Sequence, residues 1–304
     1  MKSNLRGLIS CVIIFFSLVI YSQKRALYVD NFANILGSET KENKLLEFAK
    51  AKEKDELILY DLHKVNRRFP LGDAAKNGLL ANFISKAKTK YNIKSISASG
   101  ETANFFIKAI HPYNVSRTKK EEQFDVYNLE YEYWNERQSL DGGYYCETYL
   151  KRASLPCNRE NSFNYFVNSL FVMKELAKDD NLDVKIEAYV GRYTRKEIDS
   201  ISHHVDRLLI HDYVAQPEYS FLYVKDRLNY LDAIHSHIDV SILFSAENNF
   251  MGKWLRTHDF KKAEEIFFKE LEKKEIALEN HLNFAGFTYY NYSYFKKSLE
   301  LNKN

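Results

Sequence analysis

The chain has 304 residues, a formal net charge of +3 and 15% aromatic residues, with 22 Tyr and 21 Phe. A charge so close to zero is no electrostatic footprint for nucleic acid, which would want a basic face. A tyrosine-rich surface suits contact with sugar or peptide, because the ring packs while the hydroxyl stays wet; a general bias toward aromatic residues is the competing explanation.

Residues 1–23 read as a secretory signal peptide. Lys2 and Arg6 make a positive start, an apolar stretch runs from Leu8 to Ile20, and Tyr21-Ser22-Gln23 forms the exit. Leu8-Ile9-Ser10-Cys11 resembles a lipoprotein cleavage box, but the apolar core follows Cys11 instead of preceding it. The expected location is therefore secreted or periplasmic, with no membrane span after cleavage; an uncleaved N-terminal anchor is the alternative.

Residues 24–304 then alternate short β-rich runs with amphipathic helical runs. Strand one is expected from Ala26 to Phe32, followed by a helix from Lys41 to Lys54. Strand two covers Leu57 to Leu62. The next helix, Leu79 to Tyr91, carries Leu80, Phe83, Ile84 and Ala87 on one stripe. Strand three is Ile93 to Ser99, with a helix from Glu101 to Ile110, and strand four is Phe124 to Tyr133. A long loop holds Cys146 and Cys157, which are expected to pair as a disulfide in an oxidising compartment. A helix from Ser162 to Ala177 leads to strand five, Val184 to Val190. Thr194 and Glu197 have capping-box spacing and open the helix that runs to His203. Strand six is Arg207 to His211, with a helix from Leu222 to His235; strand seven is Val240 to Phe244. A charged helix from Ala263 to Ala277 precedes strand eight, Phe284 to Tyr289.

Eight strands alternating with helices imply a parallel sheet with crossover helices, and eight such units in one chain fit a closed (β/α)8 TIM-type barrel. The turn after strand one, Asn31-Phe32-Ala33-Asn34, lacks the glycines of a dinucleotide site. No linker rich in Pro, Gly or Ser divides the chain, so a single domain is expected. Neither C-x-x-C nor H-E-x-x-H occurs, so no metal and no cofactor are expected.

A barrel collects its chemistry at the C-terminal ends of its strands. The polar groups expected there are Asp30, Asp61 and His63, Ser97 and Glu101, then Asn128, Glu130 and Glu132 on strand four. Later strands add Glu187 and Tyr189, His211, Asp212 and Tyr213, Ser245 and Glu247, and Tyr289 and Tyr290. His203, His204, His235, His237 and His281 precede strands and belong to the opposite, solvated end. Side chains alternate along a strand, so Asn128, Glu130 and Glu132 share one face and Leu129, Tyr131 and Tyr133 the other. Two carboxylates placed together raise one pKa, which a general acid needs. Their structural alternative is a hydrogen-bonded pair in a wet barrel mouth.

These residues resemble those of the family-18 glycoside hydrolases, the chitinase and endo-β-N-acetylglucosaminidase group. That family carries S-x-G-G on strand three and D-x-x-D-x-D-x-E on strand four. This chain has Ser97-Ala98-Ser99-Gly100 and Asp125-Val126-Tyr127-Asn128-Leu129-Glu130-Tyr131-Glu132 at those places, and His211-Asp212-Tyr213 where the family has M-x-Y. The resemblance implies Glu132 as the general acid toward a glycan containing N-acetylglucosamine. It implies Glu130 as the group orienting the substrate's 2-acetamido nucleophile, Tyr213 as a hydrogen-bond donor to it, and Asp125 and Asn128 as supporting groups. Glu130 replaces an Asp, Asn128 removes a charge, and the family's strand-eight Trp is absent, so Tyr289 or Tyr290 would have to stack on the sugar.

Two rival readings use the same chain. A retaining glycosidase would pair Glu132 or Glu136 with Glu247. A catalytically inactive glycan-binding barrel would use the aromatic surface alone.

Overall fold

The computed structural model describes residues 23–301, so the expected leader lies outside the described residues apart from Gln23. Eight parallel strands close into a barrel in sequence order. They are β1 (Lys24–Val29), β2 (Glu56–Leu59), β3 (Ser95–Gly100), β4 (Val126–Leu129), β5 (Lys185–Val190), β6 (Arg207–Asp212), β7 (Asp239–Ser245) and β8 (Asn283–Tyr290). The long helices around them are α1 (Glu39–Ala51), α2 (Gly78–Tyr91), α3 (103–115, with a π turn inside), α4 (Arg159–Asp179), α5 (Arg195–Ser202), α6 (Ser220–Ala233), α7 (Phe260–His281) and α8 (Tyr292–Leu301). Among the described residues no helix is long and apolar enough to cross a membrane.

Period-two alternation divides the strands between two cores. Leu27, Val29, Leu57, Leu59, Tyr127, Leu129, Ile186, Leu208 and Ile210 join the large layer between sheet and helices. Ala26, Tyr28, Ile58, Tyr189, Leu209 and Leu243 form a smaller cluster inside the barrel. Burying both faces of a parallel sheet accounts for the nearly continuous apolar runs of these strands. Gly286 lies where β8 passes β1: at φ +130° a Cβ there would come within 2.0 Å of the Lys24 carbonyl oxygen, so only glycine fits.

Helix α5 begins as its sequence requires, with the Thr194 hydroxyl accepting from Glu197 and the Glu197 carboxylate accepting from Thr194. Strand four is shorter than expected. Its ladder with β3 ends at the pair Gly100 and Leu129, and its ladder with β5 at Leu129 and Ala188. Beyond Leu129 the chain bends, with Tyr133 donating to the Tyr131 carbonyl and Asn135 to the Glu132 carbonyl. The alternation outlives the strand, since Tyr131 and Tyr133 still pack in the outer layer. Likewise Leu62, expected to end strand two, starts a short helix, Leu62–Arg68.

The N-terminal end of the barrel repeats one device. A carboxylate in front of a strand accepts the backbone N–H of the preceding strand: Asp55 from Arg25 at 3.1 Å, Asp125 from Ile96 at 2.8 Å and Asp206 from Ile186 at 2.7 Å. Each bond satisfies a donor that the ladder leaves open where the strand begins. Asp125 also receives Lys88.

Candidate functional site

Below the small apolar cluster, toward the N-terminal ends of the strands, the barrel interior is polar. Arg207 donates to both oxygens of Glu56, at 2.7 and 2.8 Å, and to Glu187. Asn128 donates to Glu187 at 2.6 Å and accepts from the Tyr28 hydroxyl at 3.2 Å. All five side chains are buried. A guanidinium with two carboxylates satisfies charges that would be costly alone. Burial still pushes the Glu187 carboxyl up to about 7, against the pull of Arg207.

Glu130 follows Asn128 up the same face and reaches the mouth. Burial is the main force on its carboxyl, the Tyr28 hydroxyl works against it, and the charges of Glu132, Glu101 and Glu187 add to it. Its pKa rises to about 8. Glu132, half-buried, accepts from the Tyr189 hydroxyl at 3.2 Å, while its backbone N–H is held by the Tyr145 hydroxyl at 3.0 Å. Burial raises its pKa as well, with Asn135 and Tyr189 opposing. Both groups thus tend to keep a proton where an ordinary glutamate has lost it.

Aromatic rings enclose the pair. Tyr28 and Tyr60 meet Tyr290 edge-on at 5.6 and 6.5 Å, and Tyr213 stacks beside Tyr290 at 6.1 Å. Tyr213 also touches His211 at 3.6 Å and Phe250 at 4.9 Å. Trp134 packs edge-on against Tyr189 and lies over Gly191, where a Cβ would come within 2.4 Å of the indole nitrogen. Burial, Arg227 and Arg192 lower the His211 pKa to about 3, so its imidazole is neutral.

Of the residues singled out from sequence, the structure brings Asn128, Glu130, Glu132, Glu187, Tyr213 and Tyr290 into this column. Glu247 stands at the same rim, accepting from Ser245 and facing Tyr213 and Tyr290. Ser97 points inward, but its hydroxyl is buried and has no hydrogen-bond partner among the described residues. Asp30 sits at the rim and fastens α8, accepting from the Ser293 backbone at 2.9 Å.

Three expected positions are corrected. Asp125 lies at the opposite end of the barrel in the backbone clamp described above, because it precedes β4. Asp212 has the outward parity of β6 and is buried beside Ser220 and Arg227. Tyr289 also points outward, donating to Glu264 at 2.7 Å and packing on Phe260 and Phe295, so stacking on a sugar in the mouth is left to Tyr290. Glu136, the rival acid, is exposed at the start of a short helix near Arg159.

The expected disulfide joins Cys146 and Cys157. Its loop delivers residues that the sequence reading left out of the site. Tyr144 and Tyr149 both donate to Oε2 of Glu101, the former at 3.0 Å, and Tyr145 supplies the bond to Glu132. Nothing periodic marks these tyrosines; their nearness to Cys146 was the available signal. Among the described residues only Asp141, Cys146 and Cys157 bring three candidate metal-ligand atoms together, and there both sulfurs are in the disulfide. His203, His235 and His237 line a cavity of about 520 Å³ at the far end of the barrel.

No family model and no curated protein matches the chain. Solved structures do. A family 18 chitinase from Crocus vernus is 10% identical, covers 92% of this chain and 96% of its own, and superposes with a TM-score of 0.52. Concanavalin B is 11% identical over 92% of this chain and 98% of its own, at 0.50. A 2,3-dimethylmalate lyase of the PEP mutase/isocitrate lyase superfamily is 7% identical over 92% and 76%, at 0.45. Identities this low speak to architecture alone: the chain is a single (β/α)8 barrel.

Proposed function

We propose that this protein is an exported, glycoside hydrolase-like barrel that acts on glycans containing N-acetylglucosamine, with Glu132 as the general acid. The carrying observation is the Glu132 carboxyl itself, half-buried at the mouth, oriented by Tyr189 and Tyr145, and shifted by burial toward holding a proton. Glu132 gives that proton to the glycosidic oxygen as the anomeric bond breaks, and the substrate's own acetamido oxygen closes on the anomeric carbon. Water then opens this ring and returns a proton to Glu132. Tyr213 and Tyr290 flank the sugar. The Cys146–Cys157 pair supports export, since disulfides persist in oxidising compartments.

One observation favours a second reading, a barrel that binds glycans without cleaving them. With a pKa of about 8, Glu130 is largely neutral at pH 7 and stabilises a cationic ring intermediate less than a carboxylate would.

Sugar release from chitooligosaccharides and N-glycans, by wild type and by Glu132→Gln, separates the two. The expected result is turnover in the wild type and a loss of about 10²- to 10⁴-fold in the variant with binding retained. Binding without turnover in the wild type selects the second reading, and equal turnover in both proteins removes Glu132 from the acid role.

A further inference from the structure

We propose that the disulfide-bearing loop between β4 and α4 builds a second sugar subsite on the rim, an aromatic platform centred on Tyr144 that binds a distal unit of an oligosaccharide; this rests on the glycan reading above. Tyr144 is 49% exposed and its neighbour Leu140 51% exposed, in a molecule that buries most of its large rings. The exposed ring is held in place on several sides. Its hydroxyl donates to Glu101 at 3.0 Å, its backbone N–H donates to Gln138 at 3.0 Å, and Tyr145 and Tyr149 pack against it at 5.5 and 5.7 Å.

Beneath it runs a stack of rings, Tyr131 on Tyr145 at 4.2 Å, Tyr145 on Tyr149 at 6.1 Å and Tyr149 on Tyr165 at 6.0 Å. The bridge between Cys146 and Cys157 closes the segment that carries Tyr149, and Lys151 ties down Glu147 at 2.7 Å. A solvent-facing tyrosine fixed this way loses little conformational entropy on binding, which favours a ligand with flat apolar faces and hydroxyl edges.

Glu101 gives the platform its polar partner, a carboxylate at the end of β3 that can accept hydroxyl groups. Continuity with the mouth comes from two connections. The Glu101 charge acts on both Glu130 and Glu132, and Tyr145, the residue after Tyr144, holds the Glu132 backbone. A saccharide with one unit at Glu132 would therefore meet Tyr144 only if it is long enough to cross the rim.

The test is calorimetric titration of the full chain with the dimer and the pentamer of N-acetylglucosamine, using wild type, Tyr144→Ala and Tyr144→Phe. The expected result is tighter binding of the pentamer by the wild type. Tyr144→Ala should weaken the pentamer by about 3- to 10-fold and leave the dimer unchanged, with Tyr144→Phe retaining most of the affinity. Equal pentamer affinity in wild type and Tyr144→Ala, with dimer binding intact, overturns the subsite alone. Failure of the wild type to bind either oligomer overturns the glycan reading and the subsite with it.

Discussion

The two ends of this barrel use the same residue types for opposite ends. At the N-terminal end, carboxylates are consumed by fixed partners: Asp55, Asp125 and Asp206 hold backbone N–H groups, and Glu56 and Glu187 share Arg207. At the C-terminal end, Glu101 and Glu132 are met by phenol hydroxyls from Tyr144, Tyr149 and Tyr189, and Glu130 is pressed by burial and by other carboxylates. An ion pair or a backbone bond favours the charged form, and burial opposes it, raising the pKa of Asp125 and of Glu187. At Glu130 and Glu132 burial raises the pKa, with hydroxyl and amide neighbours opposing it. The lower carboxylates thus meet a cation and backbone donors, and the upper ones meet phenol hydroxyls.

The largest expected effect tests the lower half. Arg207→Met leaves Glu56 and Glu187 buried without their cation and should cost about 3–5 kcal/mol in denaturant unfolding. A loss below about 1 kcal/mol would mean that the two acids simply take up protons, and the contrast between the ends would weaken. A smaller effect is expected from Asp125→Ala, about 1–3 kcal/mol, because it strands the Ile96 N–H at a strand start. Under the function proposed above, that variant should leave glycan binding at the mouth unchanged; a binding defect comparable to that of a mouth substitution would return Asp125 to the site.

The subtlest prediction concerns pH. The folded-state pKa of Glu130 is about 8, above the ordinary range for a glutamate in an unfolded chain. Between those values the folded state binds the extra proton. Its contribution to stability is therefore complete in acid and lost progressively as pH rises toward about 8. Unfolding curves across that window should show a decline in the wild type that is flattened in Glu130→Gln. Parallel pH profiles for the two proteins would show that Glu130 titrates normally.

Much of the fold was legible because the signals are local. Period-two alternation marked the inner and outer faces of the strands, and it held for Tyr131 and Tyr133 even where β4 had ended. Helix α5 starts at its capping box, and Cys146 pairs with Cys157. The same parity, applied to each strand's own register, would also have turned Asp212 and Tyr289 outward. Nearness to a strand end does not fix the face a side chain occupies; parity does. Asp125, a supporting group only by the family resemblance, precedes β4 and holds the Ile96 N–H at the other end of the barrel.

By itself, then, the sequence determined the eight alternating units, the two-sided burial of the strands and the carboxylates that follow Asn128. Tertiary structure decided which partners each carboxylate of the barrel meets. Only closure of the barrel brings Arg207 to Glu56, 151 residues away in the chain, and Tyr28 to Asn128, 100 residues away. Only the folded disulfide loop carries Tyr144, Tyr145 and Tyr149 to Glu101 and Glu132. The physical reason is that protonation depends on desolvation and on neighbouring charge, and both are set by residues distant in the chain.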